Sequence, residues 1–188
     1  MKLAAMLTKS LLNDNVILED ETNIITYGLE NLIGNIVGIL VILVMGAFFH
    51  HTLDSFMVWL LAFPLRKYAG GFHAKTRGRC LITSITMILI SFVIFFQFEW
   101  EMMTIFLIAL AFSIIIFFLA PVGNPNKPLD ELEHKMYQMK SRGFLLVEGM
   151  VLCFALCFKQ ERMVIAITIC FFMVGISLLA GTVKLKYI

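Results

Sequence analysis

The chain is built around long stretches that carry almost no charge. Five apolar runs stand out, at roughly 31–49, 80–98, 103–122, 144–158 and 163–183, with a shorter sixth at 53–65. A helix needs about 20 apolar residues to cross the hydrocarbon core of a bilayer, because each residue advances it by only about 1.5 Å. Composition agrees: 60% of the 188 residues are apolar, 15% are charged, and 18 are Phe. Soluble domains average about 45–50% apolar and about 25% charged. So much apolar surface cannot be hidden inside so small a globule. A soluble enzyme, a disordered chain and a disulfide scaffold are therefore excluded. The expectation is an all-α, polytopic membrane protein forming a single membrane-embedded domain over 1–188, with no feature that suits nucleic acid.

Charge placement sets the expected topology. If all six runs cross and the N-terminus lies inside, every Lys and Arg except Lys159 and Arg162 falls on the inner side, as the positive-inside rule favours. The short run 53–65 leaves a re-entrant segment as the alternative to a crossing. Residues 1–12 place Leu3, Met6, Leu7 and Leu11 at helical spacing, which predicts an amphipathic helix on the membrane surface within an interfacial segment 1–30. Two polar loops remain, 66–80 and 123–143, and both are expected in the cytoplasm.

The first loop carries the chemistry. It holds His73 and, seven residues on, Cys80 at the start of the next apolar run. On one continuous helix these two would lie about 10.5 Å apart along the axis, whereas a working Cys-His pair needs roughly 2.6–3.2 Å. The chain must bend between them, and Gly70, Gly71 and Gly78 are the expected source of flexibility. A cysteine in the first turn of a helix feels the positive end of the helix dipole, and Arg77 and Arg79 add to that field,. Such surroundings suit a nucleophile, with His73 as base and then acid. Two ligands do not make a structural zinc site, which wants four, so no metal or other cofactor is expected.

The run Arg66-Lys67-Tyr68-Ala69-Gly70-Gly71-Phe72-His73-Ala74 followed by Cys80 resembles the accessory gene regulator B family of membrane cysteine endopeptidases. Weaker matches lie at Tyr27-Gly28-Leu29-Glu30, at Ala120-Pro121 and at Lys127-Pro128, so the resemblance covers nearly the whole chain. It implies a multi-pass protein of the cell membrane of a Gram-positive bacterium, with both termini and the active-site loop cytoplasmic. It implies an AgrD-like peptide precursor as substrate, and His73 and Cys80 as catalytic residues. The implied reaction is cleavage through a thioester on Cys80, followed by ring closure to a thiolactone or lactone used in quorum sensing.

Other residues are expected to shape the site or hold substrate. Arg66, Gly70 and Gly71 belong to the motif. Ser84 lies one helical turn beyond Cys80. Lys127 in the second loop suits an acidic precursor tail. Glu148 is a carboxylate inside an apolar run, a functional candidate by default, with a hydrogen bond to Arg142 as its plainer explanation. Residues 130–142 suit a short amphipathic surface helix. Cys153 and Cys157 read as packing residues. A homodimer is expected, because two loops are little protein with which to shield a thioester, and the Phe-rich runs 80–98 and 103–122 are its candidate interface. The competing function is a small peptide exporter without proteolytic activity, which would want more polar residues along its helices than this chain has.

Overall fold

The computed structural model describes residues 2–14, 16–72, 74, 77–123 and 130–186, the side chains of Lys2, Arg77 and residues 184–186 excepted. Among them are seven α-helices: α1 (Lys2–Asn13), α2 (Thr22–Phe48), α3 (Thr52–Ala69), α4 (Arg77–Gln97), α5 (Met102–Leu119), α6 (Glu131–Cys157) and α7 (Glu161–Lys186). Each apolar run lies in its own helix. Four helices are long and apolar enough to cross a membrane, over Glu19–Phe48, Gly78–Gln97, Met102–Leu119 and Glu161–Val183. The protein is thus an all-α, polytopic membrane protein.

Three boundaries differ from the sequence reading. The run 53–65 sits in an 18-residue helix, α3, about 27 Å long and close to the roughly 30 Å of a hydrocarbon core. Its polar ends, Asp54 on one side and Arg66 and Lys67 on the other, hide that length from a hydropathy window. The second loop is much shorter than 123–143, because α6 begins at Glu131 and continues unbroken into the apolar run. Asp130 caps it, its carboxylate accepting from the Glu133 N–H at 2.6 Å,. At the N-terminus, α2 begins at Thr22, so residues 22–30 belong to the first long helix rather than to a surface segment.

Two of the short turns close in the same way. After α2, the His51 N–H bonds the Gly46 carbonyl at 2.7 Å and the His50 N–H bonds Ala47 at 3.1 Å. After α6, the Gln160 N–H bonds Ala155 at 2.8 Å and the Lys159 N–H bonds Leu156 at 3.2 Å. This is the Schellman pattern, which requires a left-handed residue just past the helix. His50 (φ 62°) and Lys159 (φ 54°) take that position in place of glycine.

Helix α7 is the axis of the bundle. Its membrane-length window is 61% buried, against 11% for α2, 22% for α4 and 17% for α5. One side of α7, through Phe171, Val174 and Leu178, packs on α3, α5 and α6. The other, through Ala166 and Ile169, meets Val58 of α3 and Ile88 and Phe92 of α4. The outer helices leave large apolar groups uncovered, including Leu40, Val44, Phe118 and Phe154, as a lipid-facing surface does. Helix α1 lies against α2 through Thr8, which is buried and accepts from the Thr26 hydroxyl at 3.0 Å. Leu3, Met6 and Leu7 stay exposed on its other side.

With six crossings, single cysteines introduced at positions 100 and 160 react with an impermeant maleimide in intact cells. Those at 74 and 130 react only after permeabilisation. The opposite pattern at 74 would place the Cys80 loop on the outer face.

Candidate active site

The connections after α3 and after α5 meet at one end of the bundle. The Val122 N–H donates to the Ala69 carbonyl at 2.9 Å, and the Gly71 N–H donates to the Val122 carbonyl at 3.4 Å. These bonds form a single parallel bridge between Gly70 and Val122. The next N–H, of Phe72, turns to α7 and donates to the Ser177 carbonyl at 2.8 Å and to the Ser177 hydroxyl at 3.1 Å. The backbone leaving α3 is therefore pinned on two sides.

Glycine makes this close approach possible. Gly70 (φ 73°) and Gly71 (φ 128°) both adopt conformations that side chains resist,. A Cβ on Gly70 would strike the Val122 carbonyl oxygen, and one on Gly71 would strike the Ser177 hydroxyl. A Cβ on Gly181 would come within 2.9 Å of the Gly71 backbone. The role of Gly70 and Gly71 is therefore close contact, not flexibility. Gly78 is no hinge either, since it lies in the first turn of α4 with open space around it.

Above this floor lies a cavity of about 390 Å³ whose lining includes Arg66, Phe72, Cys80, Ser84, Met87 and Ser177. Cys80 sits in the first turn of α4, as expected, and is partly buried. Arg66, one turn before the end of α3, points its guanidinium at the Ser177 hydroxyl, to which it donates a short hydrogen bond. Because a guanidinium keeps its proton in proteins, it brings a positive charge to the same cavity lining as Cys80. From Cys80 the lining continues along α4 to Ile90, about 15 Å of helix, so a polar mouth opens into an apolar groove between α4 and α7.

The structure thus brings together Arg66, Cys80 and Ser84 from the residues singled out in the sequence. Gly70 and Gly71 support them from below. His73 and Lys127 lie outside the described residues, as do residues 124–129 as a whole. Glu148 is placed elsewhere: it is buried on α6 and accepts from the Cys170 thiol of α7 at 3.6 Å. Its expected partner, Arg142, lies instead over the Phe117 ring at 4.4 Å and donates to the Phe117 carbonyl at 3.5 Å. Cys153 and Cys157 are exposed on α6, apart from the cavity. Ser177 is the site residue that the sequence reading missed. Its signal was the pair Ser177 and Gly181, two small residues one turn apart, a spacing that lets backbones approach inside membranes.

Comparison with known proteins identifies the family. A model of the family Accessory gene regulator B matches residues 2–178. The chain belongs to the accessory gene regulator B family. It is 33% identical over 147 residues to "Putative AgrB-like protein 2" of Clostridium perfringens (strain 13 / Type A), covering 74% of this chain and 66% of that protein. It is 31% identical over 128 residues to "Putative AgrB-like protein" of Clostridium perfringens (strain SM101 / Type A), covering 64% and 59%. The chain thus spans slightly less than two thirds of the length of the curated relatives it matches. No solved structure matches it.

Strain at Gly70 should be measurable. A side chain forced into such a backbone region costs about 1–3 kcal/mol, and about 1 kcal/mol moves the unfolding temperature of a chain of this size by roughly 2–4 °C. Gly70→Ala and Gly181→Val should lower the unfolding temperature in mild detergent by at least that much. Gly28→Ala and Gly34→Ala, with nothing within 4 Å of the added carbon, should leave it unchanged or raise it slightly.

Proposed function

We propose that this protein is a membrane cysteine endopeptidase that processes a small AgrD-like quorum-sensing precursor, with Cys80 as nucleophile and His73 as its base. The observation that carries the reading is the placement of Cys80 at a helix start, in a cavity that Arg66 also lines and that continues as an apolar groove. Family membership supplies the class of substrate.

The chemistry follows from that arrangement. The Cys80 thiolate adds to the carbonyl carbon of the scissile peptide bond. The amide nitrogen leaves with a proton delivered by His73, which had taken it from the thiol. The N-terminal part of the precursor stays on Cys80 as a thioester. A thiol within that held part then gives its proton to His73 and attacks the same carbonyl, Cys80 departs as thiolate, and a cyclic thiolactone is released. In a serine-bearing precursor the attacking group is a hydroxyl and the product a lactone. The first step runs uphill, from amide to thioester, so water must be kept from the intermediate. The apolar groove contributes to that shielding, and a second copy packed on α4 and α5 would extend it. The second step exchanges one thioester for another, so release of the products drives the sequence forward.

Co-expression with a small amphipathic AgrD-like precursor peptide, followed by mass spectrometry, tests the proposal. Cys80→Ala and His73→Ala should each reduce cleavage by at least about a hundredfold, with normal membrane insertion. Cys153→Ala and Cys157→Ala should cleave nearly as well as the parent. Cleavage by Cys80→Ala at the parental rate would sink the mechanism.

A further inference from the structure

Ser177 stands 111 residues from Arg66 and 105 from Phe72, yet it touches both. Its hydroxyl accepts from Arg66 of α3 and from the backbone N–H of Phe72, the residue before His73, at 3.1 Å. Its carbonyl takes the same Phe72 N–H at 2.8 Å. The serine is 2% exposed, on the most deeply buried helix, so its position is set by packing rather than by solvent. The absence of side chains on Gly71 and Gly181 leaves the room in which these contacts form. Other buried hydroxyls of the bundle are satisfied more simply. Thr168, fully buried on the same helix, donates only to the Val164 carbonyl of its own turn, at 2.7 Å. Ser177 instead accepts from two other segments, each of which bears a group of the candidate site.

A long, flexible arginine gains little from being near a thiol unless its guanidinium is held in one place. The Ser177 hydroxyl supplies such a hold, through the hydrogen bond it accepts from Arg66. We propose that Ser177 is a positioning residue, holding the Arg66 charge at Cys80 and the backbone that leads into His73 against α7. This deepens the peptidase reading and rests on it for its purpose. The positioning itself is measurable without any peptide.

The probe is a pair of alkylating agents of similar size, iodoacetate and iodoacetamide, applied to the purified full chain in mild detergent. Labelling is read by mass spectrometry on the peptide that holds Cys80, so Cys153 and Cys157 do not interfere. A cation fixed beside the thiol favours the anionic reagent, and the ratio of the two rates reports that charge. Ser177→Ala should lower the ratio by about threefold to tenfold, the scale of moving a unit charge by a few ångströms at an effective dielectric near 20. Arg66→Gln should lower it at least as far, and adding Ser177→Ala to Arg66→Gln should change nothing further. Thr168→Ala should leave the ratio at the parental value. Ser177→Cys, which keeps a side chain of the same shape with a weaker acceptor, is the second variant should the alanine fold poorly, and the same fall is expected. An unchanged ratio in Ser177→Ala, or falls that multiply in the double variant, would overturn the proposal. Its failure would leave the cleavage test of Cys80 and His73 standing, because alkylation needs no precursor.

Discussion

Backbone groups buried among packed helices have no water to turn to, so each must find a partner within the protein. The pairing of Ala69, Gly71 and Phe72 with Val122 and Ser177 meets that demand at the end of the bundle where α3 and α5 stop. It also explains why two glycines follow α3 and a third sits in α7. Only bare backbone lets three segments come this close. Once they are joined, the C-terminal turn of α3 cannot swing away from α7, and Arg66 is delivered to the cavity that Cys80 faces. The site is a consequence of satisfying hydrogen bonds on buried backbone.

Electrostatics then makes the cavity asymmetric. Its mouth holds a fixed cation and a helix start, both of which favour negative charge, while its depth along α4 and α7 is lined mainly by aliphatic groups. An amphipathic peptide suits such a space better than a soluble metabolite or an ion. Glu148 belongs to a different part of the structure, bonded to Cys170 within the core of α6 and α7, and its burial ties those helices together rather than serving the cavity.

Much of this was legible in the sequence, because hydropathy and charge act locally. Each apolar run became a helix, and Cys80 fell in a first helical turn, where a residue next to a polar loop should be. What escaped depended on contacts between distant segments. Gly70 and Gly71 look like hinges until Val122 and Ser177 are known to lie against them. The charged stretch 130–142 reads as a separate surface helix because hydropathy sets it apart from the apolar run, whereas Asp130 caps one continuous helix that joins the two. Arg142 was matched to Glu148 by charge alone, whereas in the bundle Phe117 lies nearer. Ser177 carries no chemical signal by itself and gains its importance from two partners far away in the chain.

The central claim is that Cys80 carries the acyl group. Intact-mass measurement of the purified protein, stopped in acid shortly after mixing with a precursor whose internal Cys or Ser is replaced by Ala, tests it most directly, because ring closure is then blocked. The account predicts an adduct equal in mass to the N-terminal part of the precursor, mapping to Cys80 and released by hydroxylamine, as a thioester is. An adduct on another residue, or cleaved precursor with no adduct at any time, would contradict it.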